Sequence, residues 1–284
     1  QPTSNAGPDQ DLCNTYATTF DGNTPLGTAT GEWTQISGPG IATITDPTVE
    51  NTALSGLIEG AYTFVWTVSN GTCTAATDTV IINVYDQPTS NAGPDQEWCA
   101  IYEATLAGNA PLGTATGEWT MASGPAPVVF ADATLPNTIA TALVEGTYHL
   151  VWTVSNGTCT PASDTMSIII YDLPTSDAGV DQDLCATYTT LLSGNTPDGT
   201  ATGEWTVIDG PVSISFDDTT NPTTGISALT EGSYTLVWTV SNGICEPATD
   251  TVIINVYDAP TSDAGPNQDL CGIYETNLAA NLPA

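Results

Sequence analysis

One alternating stretch recurs three times and constrains everything around it. It runs from Gly60 to Cys73 and returns from Gly146 to Cys159 and from Gly232 to Cys245. In the first copy Tyr62, Phe64, Trp66 and Val68 alternate with Thr63, Val65 and Thr67. A period of two specifies a β-strand with one buried face. Ser69-Asn70-Gly71 ends the strand in a turn signal. Just upstream, Leu57, Gly60 and Tyr62 read as a tyrosine corner, with the tyrosine near the start of the penultimate strand of a Greek-key sandwich. Tyr148 and Tyr234 hold the same place in the other two copies.

The recurrence is exact in spacing. Pro2, Pro88, Pro174 and Pro260 each open a near-identical phrase, Pro-Thr-Ser-Asn-Ala-Gly-Pro-Asp-Gln or a close variant, at one interval of 86 residues. The chain therefore divides into repeats 1–86, 87–172 and 173–258, followed by 259–284 as the N-terminal fragment of a fourth. A repeat of this length is enough for a seven-stranded sandwich. No stretch carries a helical period, and short strands separated by turn residues are the sandwich signal. The expected class is all-β, a tandem array of seven-stranded immunoglobulin-like Greek-key sandwiches.

Within the first repeat, Pro2–Gly7 reads as an extended edge strand, Asp9–Asp11 as a polar turn and Tyr16–Phe20 as the next strand. Further strands are expected over 31–36, with Trp33 and Ile36 toward the core, then over 42–44, 51–54, 60–69 and 78–85. Trp33, Trp119 and Trp205 occupy one equivalent position and Trp66, Trp152 and Trp238 another, and strand parity puts them in the core. Trp98 lacks a counterpart in the other repeats. The joints, such as Tyr85-Asp86-Gln87-Pro88, have no slack, which predicts stiffly connected domains. The 259–284 fragment is expected to supply the first two strands of a fourth domain and cannot bury a core alone.

Lys and Arg are absent, Asp and Glu number 32, and the formal net charge is −32. Nothing is present to neutralise phosphate, so nucleic acid is excluded as an electrostatic partner and anionic membrane surfaces are disfavoured. No apolar run is long enough to insert into a membrane. Stability has to come from apolar burial, hydrogen bonds and cross-links. Lysine-dependent isopeptide bonds are ruled out. Six of the seven cysteines fall in pairs spaced alike in each repeat, which predicts one disulfide per repeat, Cys13–Cys73, Cys99–Cys159 and Cys185–Cys245, with the partner of Cys271 beyond the sequence given. Such bonds imply an oxidising, extracellular setting.

His149 is the one histidine, so Ser-His-Asp and Cys-His catalysis fail on inventory and no enzyme is expected. Calcium is the one cofactor with candidate ligands. Asp86, Asp172 and Asp258 stand at the joints, and Glu59, Glu145 and Glu231 recur just before the tyrosine-corner strand. No Asp-x-Asp-x-Asp-Gly loop accompanies them. Tyr16, Tyr102 and Tyr188 offer ring faces for a carbohydrate-binding array, the alternative to a structural role.

The phrases Pro-Thr-Ser-Asn-Ala-Gly-Pro-Asp-Gln-x-x-Cys, Gly-Glu-Trp-Thr and Trp-Thr-Val-Ser-Asn-Gly-Thr-Cys resemble the PKD-like, immunoglobulin-like repeats of giant secreted Bacteroidota surface proteins. These include gliding-motility adhesins exported by type IX secretion. The Trp-Asp-Phe-Gly-Asp-Gly phrase of ordinary PKD domains is replaced by Glu32-Trp33-Thr34-Gln35. The resemblance implies an extracellular, cell-surface filament, stalk or adhesin shaft. Its partners would be further copies of the same repeat in a longer chain, with lateral self-association into a fibre. A spacer beside a secreted enzyme is the other reading. It also implies O-glycosylation at Thr79, Thr165 and Thr251, each in an Asp-Thr-aliphatic sequence, and more loosely at Thr219.

Overall fold

A computed structural model of the protein describes residues 1–282. Each repeat forms seven strands. The first carries β1 (Gln10–Cys13), β2 (Thr18–Thr19), β3 (Thr30–Ser37), β4 (Thr43–Ile44), β5 (Ala53–Ser55), β6 (Gly60–Ser69) and β7 (Ala76–Tyr85). The second carries β8 (Gln96–Cys99), β9 (Ala104–Thr105), β10 (Thr116–Ser123), β11 (Val129–Phe130), β12 (Ile139–Thr141), β13 (Gly146–Ser155) and β14 (Ala162–Tyr171). The third carries β15 (Gln182–Cys185), β16 (Thr190–Leu191), β17 (Thr202–Asp209), β18 (Ser215–Phe216), β19 (Gly225–Ser227), β20 (Gly232–Ser241) and β21 (Ala248–Tyr257).

The strands of each repeat form two sheets, a four-stranded one in the order β1-β7-β6-β3 and a three-stranded one in the order β2-β5-β4, with the same orders in the other two repeats. This is the two-layer sandwich expected of the alternating pattern. The contacts gather the chain into two compact units, residues 1–97 with 101–170, and residues 98–100 with Tyr171 onward.

The core follows from parity. On β6, Tyr62, Phe64, Trp66 and Val68 are buried, and on β7 so are Val80, Ile82 and Val84, while Ile81 between them is exposed. Trp33 on β3 lies directly across from Trp66 on β6, with ring centroids 4.9 Å apart. The equivalent tryptophan pairs are 5.1 Å and 5.0 Å apart. Such pairs add about 0.5–1.5 kcal/mol beyond area burial. Each indole N–H donates to a backbone carbonyl, Trp33 to Glu50 and Trp66 to Asn23. The glycine of Gly-Glu-Trp is fixed by this packing. A Cβ on Gly31 would sit 2.1 Å from the Trp66 ring, and Gly117 and Gly203 are equally close to Trp152 and Trp238.

The acids compensate for the missing cations by accepting backbone N–H groups. Asp9 accepts from Ile81 and Asp78 from Ala6, and the other two repeats keep both bonds. Asp46, Asp132 and Asp218 each accept the N–H and the hydroxyl of a threonine two residues on. Those threonine bonds hold all three carboxyls below their usual pKa.

Three local expectations are corrected. Residues 2–7 form no strand, whereas β1 begins at Gln10, inside the expected polar turn, and pairs parallel with β7. Asp11 on β1 and Asp9 just before it are tolerated because each takes up a donor of β7 at the sheet edge. Ile36 is 62% exposed, because it stands three residues from inward-facing Trp33 and period-two alternation puts it on the outer face with Glu32 and Thr34. Residues 259–282 hold no strand, and none of them is buried.

Candidate functional site

The site is the joint between the first and second repeats, inside the first compact unit. β1 runs parallel to β7 and places Cys13 opposite Tyr85, at the end where the chain leaves the sandwich. Cys73 lies in the turn before Ala76, at the other end of β7. Ten strand residues separate these ends, roughly 30 Å at strand rise. A disulfide needs Cα atoms within about 7 Å. The expected Cys13–Cys73, Cys99–Cys159 and Cys185–Cys245 pairings are therefore not formed. Cys13 is bonded to Cys159 and Cys99 to Cys245, each pair 146 residues apart. Cys73, Cys185 and Cys271 are free and exposed.

Cys159 comes within reach because the β13–β14 turn, Asn156-Gly157, meets the end of β7. The Tyr85 ring lies over Gly157, where a Cβ would be 2.4 Å from it. The buried Asn156 amide donates to the Asp86 carbonyl at 2.9 Å and to the Glu59 carboxylate at 2.9 Å. Glu59 also accepts from the Thr114 N–H at 3.3 Å and hydroxyl at 3.1 Å. Gln87 donates to the Thr160 carbonyl at 2.9 Å. The amide of Asn156, more than any other donor, holds the Glu59 carboxyl below its usual pKa. A cavity of about 130 Å³ lies between Pro88, Leu112, Ala115 and Asn156. That is below the roughly 300 Å³ at which small-molecule sites begin.

The second unit repeats this chemistry at the same interval. Asn242 is buried and donates to the Asp172 carbonyl at 2.9 Å, the Tyr171 ring lies over Gly243, and Cys99 is bonded to Cys245.

Tyr62, Tyr148 and Tyr234 are fully buried, and each hydroxyl accepts the backbone N–H four residues upstream, from Ile58, Val144 and Thr230. Asp86 accepts the Tyr16 hydroxyl and Asp258 that of Tyr188, which raises both phenol pKa values. These rings are tethered at the repeat ends, each 41% exposed. Among the described residues no three or more acidic, cysteine or histidine side chains gather as a metal site. The Asp86 and Glu59 carboxylates are instead occupied by neutral donors, so the calcium expectation finds no ligand set there. Glu145 is half-buried and Glu231 exposed. Thr79, Thr165 and Thr251 are exposed, while Thr219 is half-buried and its carbonyl accepts the Trp205 N–H. The aspartate before Thr79 has its own task in binding the Ala6 N–H. Trp98 stands in register with Leu12 and Leu184, which pack against their cores, and is half-buried. Asn156, Gly157 and Thr114 escaped sequence reasoning. The recurrent Asn-Gly-x-Cys turn marks Asn156 and Gly157 in the sequence, and no comparable signal marks Thr114.

The K319L-like, PKD domain family matches residues 6–84 and 178–256, together more than half of the sequence. The chain belongs to this family. The second repeat, outside the matched ranges, has the same strand order. Among solved structures, the immunoglobulin domains 1–5 of Sidekick-1 align at 10% identity and a TM-score of 0.45, over 91% of this chain and 60% of that one. The N-terminal eight immunoglobulin domains of Down Syndrome Cell Adhesion Molecule align at 13% identity and a TM-score of 0.49, over 90% and 36%. The PKD domain from the KIAA 1837 protein aligns at 21% identity and a TM-score of 0.27, over 34% and 93%. This PKD-family chain has no helix long and apolar enough to cross a membrane among the described residues.

Proposed function

We propose that this PKD-family chain is a structural segment of an extracellular surface filament, stalk or adhesin shaft, covalently stapled from repeat to repeat. The Cys13–Cys159 bond carries this reading. A disulfide that joins one repeat to the next contributes little that a binding or catalytic module needs. It does keep neighbouring repeats together when force or denaturant acts on them. The acidic, lysine-free surface suits a protein exposed to proteases that cut after basic residues. The phrase-level resemblance to giant Bacteroidota surface proteins extends the proposal to a cell-surface adhesin of the gliding type, exported by type IX secretion. O-glycosylation of Thr79, Thr165 and Thr251 belongs to that extension, and intact mass of native protein tests it, a bare-chain mass speaking against it.

The functional reading is tested by immunogold electron microscopy of the source cells, using antibody against this chain. Labels spaced along surface filaments are expected. Label confined to soluble secreted material, with none on filaments, would sink the proposal.

A further inference from the structure

The buried polar side chains among the described residues are three threonines and two asparagines, Asn156 and Asn242. Both asparagines precede glycine, and both sit at a joint, donating to the backbone that enters it. Asparagine is a thermolabile residue, and glycine after it removes the side chain that would hinder attack by the next backbone nitrogen. In that reaction the Gly157 nitrogen bonds to the Asn156 side-chain carbonyl carbon. Its proton and the amide nitrogen leave as ammonia. Water then opens the cyclic imide to aspartate or isoaspartate.

The closed joint opposes each part of this step. The Asn156 amide donates to Glu59 and to the Asp86 carbonyl, both at 2.9 Å, and its oxygen accepts the Thr114 hydroxyl at 2.9 Å. Loss of ammonia forfeits both donated bonds. The backbone is held as well, because the Cys159 N–H donates to the Asn156 carbonyl at 3.0 Å and the Tyr85 ring covers Gly157. Asn242 is anchored alike, by the Asp172 carbonyl at 2.9 Å, the Thr200 hydroxyl at 2.8 Å and the Cys245 N–H at 3.0 Å.

We propose that Asn156-Gly157 and Asn242-Gly243 are deamidation sites gated by the joints. A closed joint shields its asparagine. An opened joint lets it react with water, and the product keeps the joint from closing again. An aspartate at 156 sets carboxylate against carboxylate at Glu59 and oxygen against oxygen at Asp86, where an amide had bridged them. The sequence has no Lys or Arg to neutralise the pair. Isoaspartate also adds a backbone carbon inside the turn that aligns Cys159 with Cys13. Each opening that lasts long enough is thereby recorded in the chain.

The test incubates the purified full-length chain at mildly alkaline pH, once folded and oxidised and once unfolded and reduced. Peptic peptides are mapped by mass spectrometry, since trypsin has no site in this sequence. Asn156 should convert at least about a hundredfold more slowly in the folded chain. Glu59→Ala, at a half-buried position, should speed conversion of folded Asn156 about tenfold and leave Asn242 unchanged. Thr114→Val, at an exposed position, gives a second reading of the same effect, and hydrogen exchange on β6 and β13 checks that both variants are folded. Asn156→Asp should make the Cys13–Cys159 bond reducible about tenfold faster, with Cys99–Cys245 unchanged. Equal conversion of Asn156 in the folded and unfolded chains would overturn the proposal. So would folded variants that convert no faster than the parent, or an Asn156→Asp chain whose Cys13–Cys159 bond is reduced at the parental rate.

Discussion

Replacing Cys159 by serine should destabilise the first repeat, in which it does not lie. With the second repeat folded, unfolding the first opens a loop of roughly 75 residues from Cys13 to the joint, and its closure is worth about 4.5 kcal/mol in the chain-entropy model. Unfolding both repeats opens the full separation of 146 residues, which raises the figure only to about 5 kcal/mol. The bond therefore protects each repeat almost as strongly as it protects the pair, and the two protections do not add. Hydrogen exchange at the β6 amides reports the opening of the first repeat alone. Cys159→Ser should accelerate the slowest of these amides by about a thousandfold. Cys73→Ser, which breaks no bond, should leave them unchanged. A within-repeat disulfide predicts the reverse ordering, so slow β6 exchange in Cys159→Ser together with fast exchange in Cys73→Ser refutes the reasoning.

Three further outcomes are expected. Gly31→Ala should cost about 1–3 kcal/mol in denaturant stability, because its methyl must displace the Trp66 ring from a packed core. Tyr62→Phe should cost about 1–3 kcal/mol by leaving the Ile58 N–H without its acceptor, and an unchanged unfolding midpoint would contradict the role given to that hydroxyl. The joint should loosen in acid. Glu59 has a folded pKa below its unfolded value, so its contribution is fully present above the unfolded value, near ~4.3, and is lost as pH falls through the folded one. Protection of the 113–115 amides, measured relative to their intrinsic exchange rate at each pH, should fall across that window in the parent protein, and Glu59→Gln should flatten the pH dependence.

The sandwich was legible because its signals are local. The alternation from Tyr62 to Val68 determines which side chains are buried, and the turn residues mark where strands stop. The parallel β1–β7 pairing was not legible, since Gln10-Asp11-Leu12-Cys13 is acidic and short, and only the neighbouring strand makes it a strand. Which cysteines can pair depends on that register. Cysteine spacing fixes a period but not which end of a sandwich a residue occupies. A pairing within the repeat and a pairing to the next repeat are both compatible with the same regular array. Once Cys13 is placed beside Tyr85, the strand length alone excludes Cys73. The carboxylates resemble a cation site in sequence because counts of acids say nothing about their donors. Asn156 and Thr114, which occupy Glu59, are far away in sequence.

The two disulfides overlap along the sequence, one spanning 13–159 and the other 99–245. A single nick in the backbone anywhere between Cys13 and Cys245 therefore leaves both pieces attached through at least one sulfur bridge. Within that span, losing one peptide bond, to a protease or to mechanical wear, does not release a piece; separation requires scission and reduction together.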